Sequence, residues 1–159
     1  MLQRLGIAQA LLGDARMLIV DEPTAGLDPE ERIRFRNLLS MMSGDRVVLL
    51  STHIVGDVES TCSDMAVIRE GRIVFRGAPR ELAEAAKGKV WEVRCRREVF
   101  ERFGTASPNI VVVGAKNLGD TVEARVVSAE VPMLGQDSAV TPVAEPILED
   151  SYVAFMEVM

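Results

Sequence analysis

The stretch Met17-Leu18-Ile19-Val20-Asp21-Glu22-Pro23-Thr24 constrains this chain more than any other. Its apolar run, half of it β-branched, breaks abruptly into paired carboxylates and a proline. That pattern predicts a short strand buried on both faces that stops at its carboxyl end. A strand apolar at every position needs cover on each face and a neighbour on each edge, which favours an α/β sheet with parallel strands. In such sheets ligands bind outside the carboxyl ends of the strands. Buried strands also end in solvated acidic turns with no chemical purpose, and this stretch alone leaves both readings open.

The residues that follow narrow the choice. Ala25-Gly26-Leu27-Asp28-Pro29 comes directly after the strand, and Leu49-Leu50-Ser51-Thr52-His53 forms another apolar strand ending in the only histidine of the chain. This ordered set resembles the ATP-binding-cassette (ABC) ATPases, in which an apolar strand delivers an Asp to a Mg²⁺-phosphate site and a Glu to the attacking water, the Walker B arrangement. The resemblance implies that Asp21 is the Walker B aspartate, contacting Mg²⁺ through water, and that Glu22 is the general base. It further implies that Ala25 to Asp28 is the D-loop, with Asp28 facing a second copy of the domain across the nucleotide, and that His53 is the switch histidine. Residues 2–12 resemble the helix that follows the family's signature loop.

Several of these residues have plainer explanations. Asp28 is fully accounted for as a helix N-cap, with Pro29 at the first helical position and Glu30 and Glu31 at the positive end of the dipole. A histidine at a strand end is usually a surface side chain. Phe35, Leu38, Leu39 and Met42 form a stripe expected in a core. Trp91, in an alternating strand, is expected to fill a small core rather than stack on a ligand.

Periodicity organises the rest. Residues 2–12 read as a buried helix ended by Gly13-Asp14 and residues 29–42 as a helix ended by Ser43-Gly44; the strand at 47–51 then pairs in parallel with the first through a crossover. Parallel strands end on one edge, which places Asp21, Glu22 and His53 close together. Residues 55–63 read as helix, 65–68 and 72–75 as a hairpin about Glu70-Gly71, and 79–86 as a short helix. At Lys89 the pattern changes. Residues 90–96 and 121–127 alternate, 109–113 form a continuous apolar strand, and 99–103 form a short helix between strands. Residues 129–146 read as a loop. The last helix, entered at Pro146, sets Leu148, Tyr152 and Phe155 on one face. Its Pro-x-Leu-Glu-Asp-x-Tyr pattern resembles the tail of export-type cassette ATPases that carry a C-terminal accessory domain.

The expected fold is therefore α/β over residues 1–88, the C-terminal portion of a P-loop-type ABC ATPase domain, followed by a small α+β accessory domain over residues 89–159. A net charge of −6 over 159 residues offers no basic patch for a phosphate backbone, so nucleic acid is not expected as a partner. No apolar run approaches the roughly 18 residues that cross a bilayer. The N-terminal residues lack signal-peptide regions, and Cys62 and Cys95 lack metal spacing, which suits a cytosolic chain with reduced thiols.

A phosphate-cradling Gly-x-x-x-x-Gly-Lys-[Ser/Thr] loop is absent from the sequence: the one Gly-Lys pair, Gly88-Lys89, has Ala83 where the first glycine belongs and Val90 where the hydroxyl belongs. The resemblance implies ATP and Mg²⁺ as cofactors of a complete subunit, with weak ATP binding by these residues alone. It also implies a transmembrane permease subunit and a second ATP-binding subunit as partners, and a peripheral location on the inner face of the cell membrane. The function expected is that of an ATP-hydrolysing subunit powering export, present as a truncated chain. The alternative is a non-catalytic or regulatory chain that binds a partner through its C-terminal domain.

Overall fold

The computed structural model describes residues 2–12, 15–43, 46–106, 109–135 and 137–157. The helix ends expected at Gly13-Asp14 and at Gly44 lie outside them. The chain divides into two compact units, Met1–Arg76 and Gly77–Met159.

The first unit begins with α1 (Leu2–Leu12), β1 (Met17–Asp21), α2 (Pro29–Met42) and β2 (Val47–Ser51). β1 and β2 pair in parallel, in a register that runs from Met17 opposite Val47 to Asp21 opposite Ser51. α2 connects them and covers one face. Leu18, Val20 and Leu39 form the buried centre, with Phe35, Met42, Val48 and Leu50 packed around it. The alternate residues Met17, Ile19, Val47 and Leu49 are exposed, Ile19 by 67%. The expectation of a strand buried on both faces is therefore corrected: successive side chains point to opposite faces, and α2 supplies cover to one. The expected burial of α1 is corrected too, since Leu5 and Leu12 are exposed. α3 (Val55–Thr61), β3 (Met65–Arg69) and β4 (Arg72–Gly77) complete this stretch. Glu70 and Gly71, at φ 51° and 75°, make the two-residue left-handed turn that a β3–β4 hairpin requires.

The second unit contains α4 (Pro79–Ala85), β5 (Val90–Arg96), α5 (Arg97–Ala106), β6 (Val111–Asn117), β7 (Thr121–Val127), β8 (Ala139–Pro142) and α6 (Leu148–Glu157). Its strands form one antiparallel sheet in the order β6-β7-β5-β8. One sheet face carries Trp91, Val93, Cys95, Val122, Ala124 and Val126, against which Val99 and Phe100 of α5 pack. On the other face Val90 and Val127 meet Ala86 and Ala154, with Val153 alongside. Trp91 is core, as its alternating strand suggests, and its indole Nε1–H donates to the Ser128 carbonyl at 3.2 Å.

Three expectations change here. The contact boundary falls ahead of α4 rather than at 88/89, because Ala86, just after α4, is buried in the second unit's core and Ser151 of α6 bonds back to the Ala83 carbonyl. β6 starts later than residue 109 and carries a register shift between Val112 and Gly114. Residues 129–146 are not wholly loop: β8 pairs with β5 as the sheet's edge, from Trp91 opposite Pro142 to Arg94 opposite Ala139. On α6 the buried positions are Leu148, Asp150, Ser151 and Ala154, while Tyr152 is exposed.

Candidate functional site

Because β1 and β2 are parallel and in register, both chains leave the sheet on the same edge. The Ser51 hydroxyl donates to Asp21 Oδ1 there. One residue further, the Glu22 N–H donates to the Ser51 carbonyl at 2.9 Å, extending the pairing past the strand end. Glu22 itself adopts φ 45°, a left-handed conformation that costs a residue with a Cβ roughly 1–2 kcal/mol. The Ala25 N–H donates to the Glu22 carbonyl at 3.1 Å, and the Leu27 N–H to Thr24 at 3.1 Å, so hydrogen bonds on both sides hold this residue.

The side chain of Glu22 turns toward β2. Its Oε1 accepts the His53 backbone N–H at 2.9 Å and lies 2.8 Å from His53 Nδ1. Its Oε2 lies 3.5 Å from the Thr52 hydroxyl. A ring that gives its Nδ1 proton to Glu22 offers Nε2 as an acceptor when neutral and as a second donor only when protonated. Three-quarters of the His53 side chain is open to solvent, so Nε2 is presented outward (76% exposed).

Asp28 follows the turn. Its carboxylate accepts the Glu31 N–H at 2.8 Å and caps α2, with Pro29 at the first helical position. The N-cap explanation is thus sufficient for its geometry.

Sequence reasoning missed Asp57. This residue of α3 is buried (1% exposed), and its Oδ2 accepts the hydroxyl of the buried Thr24 at 2.5 Å. Its Oδ1 faces two guanidinium groups of α2, 3.3 Å from Arg32 Nε and 3.7 Å from Arg36 Nη1. Arg36 also donates to the Ser60 hydroxyl at 3.0 Å. In sequence an aspartate in the first turn of a short helix reads as a dipole residue. The available signal is the cation pair Arg32 and Arg36 on one face of α2, facing inward rather than toward solvent.

The donor set fits part of a hydrated-cation and phosphate site. Asp21 offers a carboxylate at the strand end, which suits a small hard cation that keeps most of its water. Among the described residues no cluster of three or more His, Cys, Asp or Glu makes a protein-held metal cage. Nor do these residues supply the backbone cradle that phosphates need.

The sequence of the chain is 43% identical over 105 residues to the Nod factor export ATP-binding protein I of Burkholderia pseudomallei, covering 65% of this chain and 32% of that protein. This chain is a homologue of ABC transporter ATP-binding proteins. An uncharacterized ABC transporter ATP-binding protein, YxlF of Bacillus subtilis, is 32% identical over 122 residues, 77% of this chain and 41% of that protein. The ABC homologue described here thus spans about a third of the length of the first of these curated relatives (32%). Among solved structures, cbiO1 from Clostridium perfringens, part of the ABC transporter complex cbiONQ, has a TM-score of 0.46 at 36% identity, covering 50% of this chain and 32% of that one. No protein-family model matches the chain.

Proposed function

We propose that this chain works as part of the ATP-hydrolysing subunit of an ABC transporter, powering export through a separate membrane subunit. The observation that carries the reading is the meeting of Glu22 and His53 at the sheet edge where Asp21 bonds to Ser51. Bound Mg²⁺ and ATP would supply the electrophilic phosphoryl group. Asp21 would hold a water of the cation, Glu22 would take the proton of the attacking water, and His53 fixes the Glu22 carboxylate through Nδ1, leaving Nε2 to donate to a phosphate oxygen when the ring is protonated. Asp28 faces a second ATP-binding subunit. The permease partner holds the subunit on the inner face of the membrane.

Glu22→Gln in the complete subunit keeps the size and one acceptor oxygen of the side chain but removes its basicity. ATP turnover is expected to fall on the order of 100-fold or more, with nucleotide affinity retained. Unchanged turnover would remove Glu22 from the role of base.

A second reading, a non-catalytic chain that docks on a partner through residues 89–159, draws on the separate core of the C-terminal unit. Mg²⁺-dependent hydrolysis of ATP by this chain alone would eliminate it.

A further inference from the structure

The buried carboxylate of Asp57 takes no part in the chemistry just described, yet it lies against the turn that carries Glu22. We propose that Asp57 is a positioning residue for the Glu22–His53 pair, acting through Thr24; the inference rests on the reading of Glu22 and His53 given above.

Two chain segments leave the sheet edge together, one after Asp21 and one after Ser51. Side chains tie them at two successive points. Glu22 holds His53, and two residues beyond Glu22, Thr24 donates its hydroxyl to Asp57, four residues beyond His53. Glu22, the Thr24 turn, Asp57 and the first turn of α3 therefore close a ring that returns to His53.

The ring adds side-chain ties to the backbone bonds on either side of Glu22 and to the bond from the Ile54 N–H to the Thr52 hydroxyl at 3.0 Å. α3 begins at Val55 with Ile54 as its N-cap and no side-chain cap bond; the Asp57 N–H donates to the Ile54 carbonyl at 3.0 Å. On the opposite side Glu22 sits at a positive φ that a free turn would relax. A buried carboxylate is costly unless paired and hydrogen-bonded, and Asp57 is both, through Thr24 on one oxygen and Arg32 and Arg36 beside the other. Those arginines belong to α2, the helix that packs on β1 and β2. Asp57 thereby refers the start of α3, and with it His53, to the same rigid helix that backs the strand delivering Glu22.

The decisive measurement is the solvent-exchange rate of the His53 backbone amide by NMR, in this chain, with the β2 amide of Leu49 as internal reference. Thr24→Val removes the hydroxyl at nearly constant shape, Thr24→Ser keeps it, and Asp57→Asn removes the charge. Thr24→Val and Asp57→Asn are expected to accelerate His53 exchange on the order of tenfold relative to Leu49, while Thr24→Ser stays near the original rate. Glu22→Gln weakens the acceptor directly and serves as the positive reference. If Glu22→Gln accelerates His53 and the Thr24 and Asp57 variants do not, or move His53 and Leu49 equally, Asp57 is an ordinary structural residue and the inference falls alone. If Glu22→Gln is itself silent, the Glu22–His53 pairing falls and takes the inference with it. Should Asp57→Asn fail to fold, the Thr24 pair decides.

Discussion

Both thiols illustrate how single residues report on their surroundings. Burial, and then the Asp57 carboxylate, push the Cys62 thiol above its ordinary value near 9.0; burial alone does the same for Cys95. A thiol harder to ionise in the folded chain than in the unfolded one is protonated in both states at neutral pH and contributes no pH dependence there. Above about pH 9 the unfolded chain releases its thiol protons first, so it binds fewer protons and gains relative stability. Folding stability is therefore expected to decline as pH rises through the ordinary thiol value, by at most about 1.4 kcal/mol per pH unit per thiol. Urea unfolding midpoints between about pH 8 and pH 10 check this, because a Cys62→Ala, Cys95→Ala chain should show a shallower decline if the thiols cause it. At the same scale, the proximity of Glu22 and His53 is legible in sequence because parallel strands share an edge. The Thr24–Asp57 bond is not, since whether an aspartate on a short helix faces water or a buried hydroxyl depends on where two loops fall.

Among the elements, α6 shows how far pattern reading goes. Its existence follows from Pro146 and the apolar spacing, but the buried face includes Asp150, which no hydrophobic pattern announces. Asp150 is fully buried (0% exposed); its Oδ2 accepts the Ile147 N–H at 3.0 Å and pairs with Arg125 Nη2 of β7 at 2.7 Å. The carboxylate thus caps the helix and pins it to the sheet. Asp150→Ala is expected to destabilise the second unit by about 2–3 kcal/mol, less than for a wholly buried pair because Arg125 keeps contact with water. Urea unfolding followed by Trp91 fluorescence reports it, and a loss below about 0.5 kcal/mol would mean the pair contributes no more than a surface ion pair. The edge strand β8 escaped the sequence for a related reason. It is short, ends at Pro142, and lies among prolines and polar residues that signal a loop, yet an edge position tolerates a residue without an N–H.

For the molecule as a whole, the consequential feature is the face of the first sheet that α2 does not cover. A run of Met17, Leu18, Ile19 and Val20 reads the same whether one face or both are covered, so the sequence alone does not distinguish them. Leu18 and Val20 lie in the core, whereas Met17, Ile19, Val47 and Leu49 form an exposed apolar surface on adjacent strands. Contiguous apolar surface of this kind drives association and binds hydrophobic dyes. The chain is therefore expected to enhance anilinonaphthalene sulfonate fluorescence in its folded state and to self-associate as concentration rises. Replacing Ile19 and Leu49, which are paired directly across the strands, with threonine puts a polar, β-branched, strand-compatible side chain at each position while leaving Leu18, Val20 and Leu39 untouched. The double variant should retain its circular dichroism while losing most of the dye signal and the concentration-dependent association. If both persist at full strength, the sticky surface lies elsewhere, and the exposed side of β1 and β2 is not what governs how this chain meets other molecules.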